Sequence, residues 1–134
     1  MFGKLNEVKV LRDPIHEYIH IEYQVIWDCL NSPEFQRLRR IHQLGATHQV
    51  YHAAEHSRFS HSLGVYEIVR RMVNEVEGLK DALSEEEQIE VMLAGMLHDI
   101  GHGPFSHSFE SVLEFNHEKM GALILLGEST IHDV

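Results

Sequence analysis

Residues 98–107 read HDIGHGPFSH and place His98 and Asp99 side by side after an apolar segment. A second histidine cluster lies upstream, where residues 58–65 read RFSHSLGV around His61. An adjacent imidazole and carboxylate offer the mixed nitrogen and oxygen ligation that suits Mn, Fe, Ni, Zn or Mg. The pattern therefore predicts a divalent-cation site and points to metal-assisted phosphate chemistry.

Two long helices are predicted to position these side chains. The first runs from about Arg58 to Glu77, and the second starts at the capping box Ser84/Glu87 and continues toward His98. Antiparallel packing of the two helices would bring His61 and His98-Asp99 to the same end of a helical bundle, where metal sites of bundles are built. The predicted buried stripe of the first helix consists of Leu63, Ile68, Val69, Met72, Val73 and Val76.

The remaining pattern predicts an all-α helical bundle with a small N-terminal β-hairpin. Extended stretches at 8–11 and 18–21 flank an Asp13-Pro14 turn and define a hairpin segment, residues 1–21, ahead of a helical core, residues 22–134. Within the core we expect a helix at 23–30 and a second helix that is capped by Ser32 and buries Phe35, Leu38 and Ile41. A loop is expected at 45–57. Two short helices should follow, one that holds Phe109, Val112 and Leu113 and one at 117–126.

Composition restricts the partners of this chain. With 21 Asp and Glu against 11 Lys and Arg, the formal net charge of −10 disfavours nonspecific binding to nucleic acid or an anionic membrane. An anionic substrate would need local capture, for which Arg37, Arg39 and Arg40 are candidates. The single Cys29, the lack of a long apolar run and the lack of a signal-peptide pattern at the N-terminus predict a cytoplasmic protein.

Five motifs together resemble the HD-domain deoxynucleoside triphosphate triphosphohydrolases, and most closely the bacterial members related to the human SAM-and-HD-domain enzyme. They are DPIH at 13–16, FQRLRRIHQLG at 35–45, RFSHSLGV at 58–65, HDIGHGPFSH at 98–107 and HE at 117–118. The resemblance implies hydrolysis of a dNTP to a deoxynucleoside and inorganic triphosphate. It also implies that the family's fourth metal ligand lies further along than this sequence extends, as in an N-terminal portion of a longer enzyme; Asp133 lies too early to match it.

The resemblance also implies roles for individual residues. His61, His98 and Asp99 would be three metal ligands, while His107 would donate a proton and His102, His117 and Glu118 would position phosphate, water or the donor. Arg58 would contact the triphosphate, and Gln43 and Leu44 would line the sugar pocket. An activating nucleotide would bind between subunits of a homo-oligomer through Lys9, Asp13, Gln36 and Arg39.

Three functions are consistent with the sequence. The first is a dNTP triphosphohydrolase, and the second is a noncatalytic nucleotide-binding or assembly module with the same fold. The third is an HD-type nucleotidase or phosphodiesterase that acts on another phosphate ester, which would not explain the matches at Gln43, Leu44 and Arg58.

The sequence leaves two interpretations of Gly101. It forms either a turn that lets backbone approach a ligand or an ordinary helix C-cap.

Overall fold

The computed structural model describes residues 3–44, 49, 56–102 and 116–126. These residues form two strands and six α-helices, with a 3-10 helix at Arg37–Arg40. The elements are β1 Lys4–Asp13, β2 Glu17–Tyr23, α1 Gln24–Leu30, α2 Pro33–Gln36, α3 Arg58–Glu75, α4 Leu79–Ala82, α5 Glu85–Leu97 and α6 His117–Leu125. The predicted helix-rich chain with a small antiparallel hairpin is confirmed, whereas the predicted division into 1–21 and 22–134 stays a prediction.

The N-terminal hairpin pairs β1 with β2 in an antiparallel register that includes Leu11 opposite Ile19. Its turn is fixed by Asp13, whose Oδ2 accepts hydrogen bonds from the backbone N–H groups of Ile15 and His16, both at 2.9 Å. Such an aspartate turn follows from the short side chain, which reaches the backbone two and three residues ahead. The strands extend further than the predicted stretches at 8–11 and 18–21.

Local capping signals are confirmed where the structure describes them. Ser32 Oγ accepts a hydrogen bond from the Phe35 backbone N–H at 3.3 Å, at the start of α2. Ser84 and Glu87 exchange reciprocal hydrogen bonds at the start of α5, at 3.1 and 3.2 Å. Gly78 adopts a left-handed conformation with φ of 80°, as expected for a glycine that follows a helix.

The predicted buried stripe of α3 is partly wrong. Leu63 and Val73 are buried, but Ile68, Met72 and Val76 are about half exposed. Tyr66 and Glu67 are buried in their place. Tyr66 Oη donates to the His20 carbonyl at 2.7 Å, and Glu67 accepts from arginines. These hydrogen bonds offset the cost of removing the polar groups from water.

The chain divides into two compact units, the first made of Met1–Asn31 and Leu63–Met96 and the second of Ser32–Ser62 and Leu97–Val134. The hydrophobic core of the first unit is built from Ile19, Ile21, Ile26, Tyr66, Val73, Ile89, Met92 and Met96. That of the second includes Phe35, Leu38, Phe59 and Ile100, with the Phe35 and Phe59 rings 5.3 Å apart.

Within the described ranges, no helix has the length and apolar character needed to cross a membrane. The predicted helix through Phe109, Val112 and Leu113 lies outside the described residues, as do His107 and Asp133.

Candidate metal centre

Three predicted ligands converge in the second unit. His61 lies in the first turn of α3, and His98 and Asp99 occupy the turn directly after α5. Asp99 Oδ2 lies 3.5 Å from His61 Nε2 and 3.2 Å from His98 Nε2, and the three donor atoms lie within 4.8 Å of one another. Two ligand atoms each about 2.1 Å from one ion lie about 3.0–3.4 Å apart. This donor set therefore fits a divalent cation.

Asp99 is also paired with Arg58. The Arg58 Nη1 donates to Asp99 Oδ2 at 2.9 Å, and both side chains are buried. Arg58 Nη2 donates to the backbone carbonyl of Gln43 at 3.2 Å. Backbone hydrogen bonds hold Gln43 close to Arg58. The Gln43 N–H donates to the His56 carbonyl, and the Arg58 N–H donates to the Ile41 carbonyl. The same backbone pairing ends the predicted helix at Arg40 and leaves Ile41 extended.

His102 lies beside the other oxygen of Asp99, and His117 stacks on His102. His102 Nε2 is 3.3 Å from Asp99 Oδ1, and its ring stacks on that of His117 with centroids 3.8 Å apart. Donor atoms of Asp99, His102 and His117 also lie within 4.8 Å of one another. The structure thus brings five of the predicted site side chains around one carboxylate, His61, His98, His102, His117 and Arg58, with Asp99 at the centre.

The electrostatics of the centre favour an ionised Asp99 and neutral imidazoles at His61 and His102. Burial by itself raises the pKa of Asp99, but hydrogen bonds from His102 and His98 and the charges of His98 and Arg58 outweigh it and hold that pKa well below its usual range. Burial lowers the pKa of His61 and of His102, although Asp99 opposes both shifts. A neutral imidazole keeps the lone pair that a metal ligand needs.

Gly101 explains how the ligand-bearing turn lies against α6. A Cβ at Gly101 would overlap the His117 carbonyl oxygen and the Gly121 backbone nitrogen. Of the two interpretations of Gly101, one was a turn that lets backbone approach a ligand. The close approach in the structure is instead to the backbone of α6, at His117 and Gly121.

Replacing Gly101 by alanine is expected to lower the free energy of unfolding by about 3 kcal/mol, the upper end of the usual cost of overpacking, because backbone atoms cannot yield as a flexible side chain does. Urea unfolding of Gly101→Ala measures this. Gly3→Ala is the matched control, since a Cβ at Gly3 meets no atom within 4 Å. Equal stability of both variants would contradict the close approach.

The other predicted site residues that the structure describes are more exposed to solvent than Asp99 and His102. Gln43 Oε1 lies 2.5 Å from His56 Nε2, a contact that no sequence signal indicated. Leu44 is about half exposed, and Glu118 is exposed in the first turn of α6.

The four residues predicted to bind an activating nucleotide fall in both units. In the first, the Lys9 ammonium lies 6.0 Å from the Trp27 ring, and the carboxylate of Asp13 is engaged in its own turn. In the second, Arg39 Nε donates to Gln36 Oε1 at 2.7 Å and its guanidinium lies over the Phe59 ring at 3.7 Å. A shared nucleotide site formed by all four stays a prediction.

Sequence reasoning missed the position of Arg37. Its Nη1 donates to the His102 carbonyl at 2.7 Å and its Nη2 to the Ile100 carbonyl at 2.6 Å. The guanidinium therefore contacts the ligand-bearing turn, whereas the sequence placed it with Arg39 and Arg40 on an anion-capturing helix face. Only its position next to Leu38 in a helical pattern was visible beforehand, and that pattern does not reveal a contact more than 60 residues away.

The chain is similar in sequence to known proteins over most of its length. The chain is 52% identical over 132 residues to the uncharacterized protein YwfO of Bacillus subtilis, covering 98% of this chain and 30% of that protein. It is 41% identical over 108 residues to the deoxynucleoside triphosphate triphosphohydrolase SAMHD1 of Homo sapiens, covering 79% of this chain and 17% of that protein. The chain thus spans less than a third of the length of each.

A solved structure is similar as well. A phosphohydrolase from Bacteroides thetaiotaomicron matches with a TM-score of 0.82 and 36% identity, over 91% of this chain and 30% of that one. The HD-domain pattern matches residues 58–133, more than half of the chain and the part that holds His61, His98 and Asp99. The resemblance read from the motifs is confirmed, and the chain belongs to the HD-domain family.

Proposed function

We propose that this protein is a metal-dependent phosphohydrolase that cleaves dNTPs to a deoxynucleoside and inorganic triphosphate. The observation that carries the proposal is the convergence of His61 Nε2, His98 Nε2 and Asp99 Oδ2, with the Arg58 guanidinium on the same carboxylate oxygen. The similarity to SAMHD1, a deoxynucleoside triphosphate triphosphohydrolase, and to the Bacteroides phosphohydrolase supports hydrolysis of a phosphate compound and, for the former, a dNTP substrate.

The donor set holds the cation in this proposal. His61 and His98 bind as neutral imidazoles and Asp99 as a carboxylate, whose charge offsets part of the positive charge of the ion. When bound, a divalent cation supplies charge stabilisation to a phosphoryl group and to an attacking water. Mg, Mn, Fe, Ni and Zn are all compatible with this mixed donor set.

The side chains around Asp99 bind and orient the substrate. The planar guanidinium of Arg58 lies beside the donor set, and its charge and several N–H groups suit phosphate oxygens in addition to its bonds to Asp99 and the Gln43 carbonyl. His102 and His117, stacked on each other, and Glu118 are proposed to position the phosphate, the water or the proton donor. Gln43 and Leu44 are proposed to contact the deoxyribose.

The bond changes define what a proton donor must do. The water oxygen forms a bond to the α-phosphorus, the bond from that phosphorus to the 5′-oxygen breaks, and the 5′-oxygen takes a proton as the deoxynucleoside leaves. A histidine suits this role because its pKa lies near neutral pH. His107 is proposed as the donor, from the resemblance alone.

The proposal extends to assembly. A homo-oligomer that binds an activating nucleotide through Lys9, Asp13, Gln36 and Arg39 remains a proposal from the same resemblance. Sedimentation with and without added nucleotide measures it.

Product identity tests the proposed reaction. The protein is incubated with the four dNTPs and Mn²⁺ or Mg²⁺, and the products are separated by anion-exchange chromatography. We expect deoxynucleoside and intact triphosphate in equal amounts. Orthophosphate or pyrophosphate as the initial product would indicate attack elsewhere and would contradict the proposal. Nucleotide binding without any product would instead favour a noncatalytic binding module.

A further inference from the structure

Arg37 links the 3-10 helix to the turn that carries the candidate metal ligands. Its two guanidinium nitrogens donate to the carbonyls of Ile100 and His102, at 2.6 and 2.7 Å. Both carbonyls belong to the turn that follows α5 and contains His98 and Asp99. We infer that Arg37 is a positioning residue for the metal centre and sets the place of these ligands through the turn backbone. The inference rests on the proposed function, because it concerns the same centre.

The turn needs such a partner because it lies beyond the regular helix. Its own backbone bonds are single-turn contacts, from the Ile100 N–H to the Leu97 carbonyl and from the His102 N–H to the Asp99 carbonyl, both at 3.1 Å. Buried carbonyl groups beyond the end of a helix need hydrogen-bond partners from elsewhere in the chain. Arg37 supplies hydrogen bonds and positive charge to the turn from a different segment of the chain.

The chemistry of arginine suits this task better than that of lysine. A guanidinium presents several N–H groups in a fixed plane, so one side chain spans two carbonyls that lie two residues apart. A lysine ammonium is a point charge on a flexible stem and would hold one carbonyl less rigidly. Arg37→Lys therefore keeps the charge and removes most of the geometric constraint.

The displacement expected from losing this constraint falls on the ligands. Asp99 and His102 lie in the turn, and the distance of 3.3 Å between Asp99 Oδ1 and His102 Nε2 depends on the turn conformation. On the side of Gly101, the turn is limited by the backbone of α6. Changes to such outer groups commonly weaken metal binding about 10–100-fold.

The test compares Arg37→Lys with Arg40→Lys, which alters an exposed arginine on the same 3-10 helix. Mn²⁺ affinity is measured by isothermal titration calorimetry, and amide hydrogen exchange is followed by mass spectrometry on peptides covering 97–102. We expect roughly tenfold weaker Mn²⁺ binding in Arg37→Lys and faster exchange confined to this turn. Arg40→Lys should match the wild type in both. Arg37→Gln is measured alongside and should show the same two changes, enlarged.

Two results would overturn the inference. One is unchanged exchange of residues 97–102 in folded Arg37→Lys and Arg37→Gln. The other is an increase spread evenly over α3 and α5, which would make Arg37 a general stabilising residue. Absence of Mn²⁺ binding in the wild type would contradict the proposed function instead, and the exchange data would still decide whether Arg37 holds the turn.

Discussion

Asp99→Asn is expected to abolish stoichiometric binding of a divalent cation. The substitution removes the negative charge on which His61, His98, His102 and Arg58 converge. Loss of a directly binding carboxylate should exceed the roughly 10–100-fold effect of outer groups. Metal content of the purified protein after loading with Mn²⁺ and desalting, determined by mass spectrometry, is the measurement.

The control must separate metal loss from unfolding. Arg58 and Asp99 are both buried, so Asp99→Asn also leaves the guanidinium without its counter-charge, a change that costs up to about 3–5 kcal/mol in buried pairs. Asp81→Asn, an exposed aspartate on α4, is the matched charge control, and circular dichroism reports folding. Undiminished Mn²⁺ in folded Asp99→Asn would exclude Asp99 as a ligand.

Glu67→Gln is expected to lower the stability of the first unit. The Glu67 carboxylate is fully buried and accepts from Arg70 Nε and Nη2, both at 2.8 Å, and from Arg71 Nε at 3.1 Å. Arg71 Nη2 also donates to the His16 carbonyl at 3.0 Å, so the group ties α3 to the hairpin turn. Removing the charge should lower the free energy of unfolding by about 2–3 kcal/mol. This is less than the cost of breaking a fully buried ion pair, because both arginines retain contact with solvent.

Urea unfolding at neutral pH measures this loss. Glu75→Gln, an exposed glutamate on the same helix, is the matched control and should change stability by less than about 0.5 kcal/mol. Similar midpoints for the two variants would show that the buried ion group contributes little.

The same carboxylate predicts how stability depends on acid. Burial alone would raise the pKa of Glu67, but hydrogen bonds and charge from Arg70 and a hydrogen bond from Arg71 outweigh it and lower that pKa below its ordinary value of 4.5. The unfolded chain therefore binds the proton more readily than the folded one. The contribution of Glu67 is complete above pH 4.5 and is lost as the pH falls through the lowered pKa. The stability difference between wild type and Glu67→Gln should shrink over that acid range, and a constant difference would contradict the assignment.

Much of the secondary structure could be predicted because its causes are local. Ser32 and the Ser84/Glu87 pair each satisfy backbone N–H groups within three residues, so their types and spacing alone indicate where α2 and α5 begin. The inward face of α3 could not be predicted in the same way. Apolar periodicity selected Ile68 and Met72, whereas the structure buries Tyr66, which donates to a carbonyl of β2, and Glu67, which accepts from two arginines of α3 itself.

The sequence by itself determined which residues are candidate metal ligands, because the types and order of His61, His98 and Asp99, and the family resemblance that they carry, need no coordinates. Tertiary structure alone decided what surrounds them. The Asp99 contact with Arg58 spans 41 residues, and the contacts of Arg37 with His102 and Ile100 span 65 and 63. Such contacts depend on where folded segments meet, and neither hydrophobic period nor capping preference carries that information. The sequence therefore predicts Arg37 as a surface cation, whereas in the folded chain it hydrogen-bonds the turn that holds His98 and Asp99.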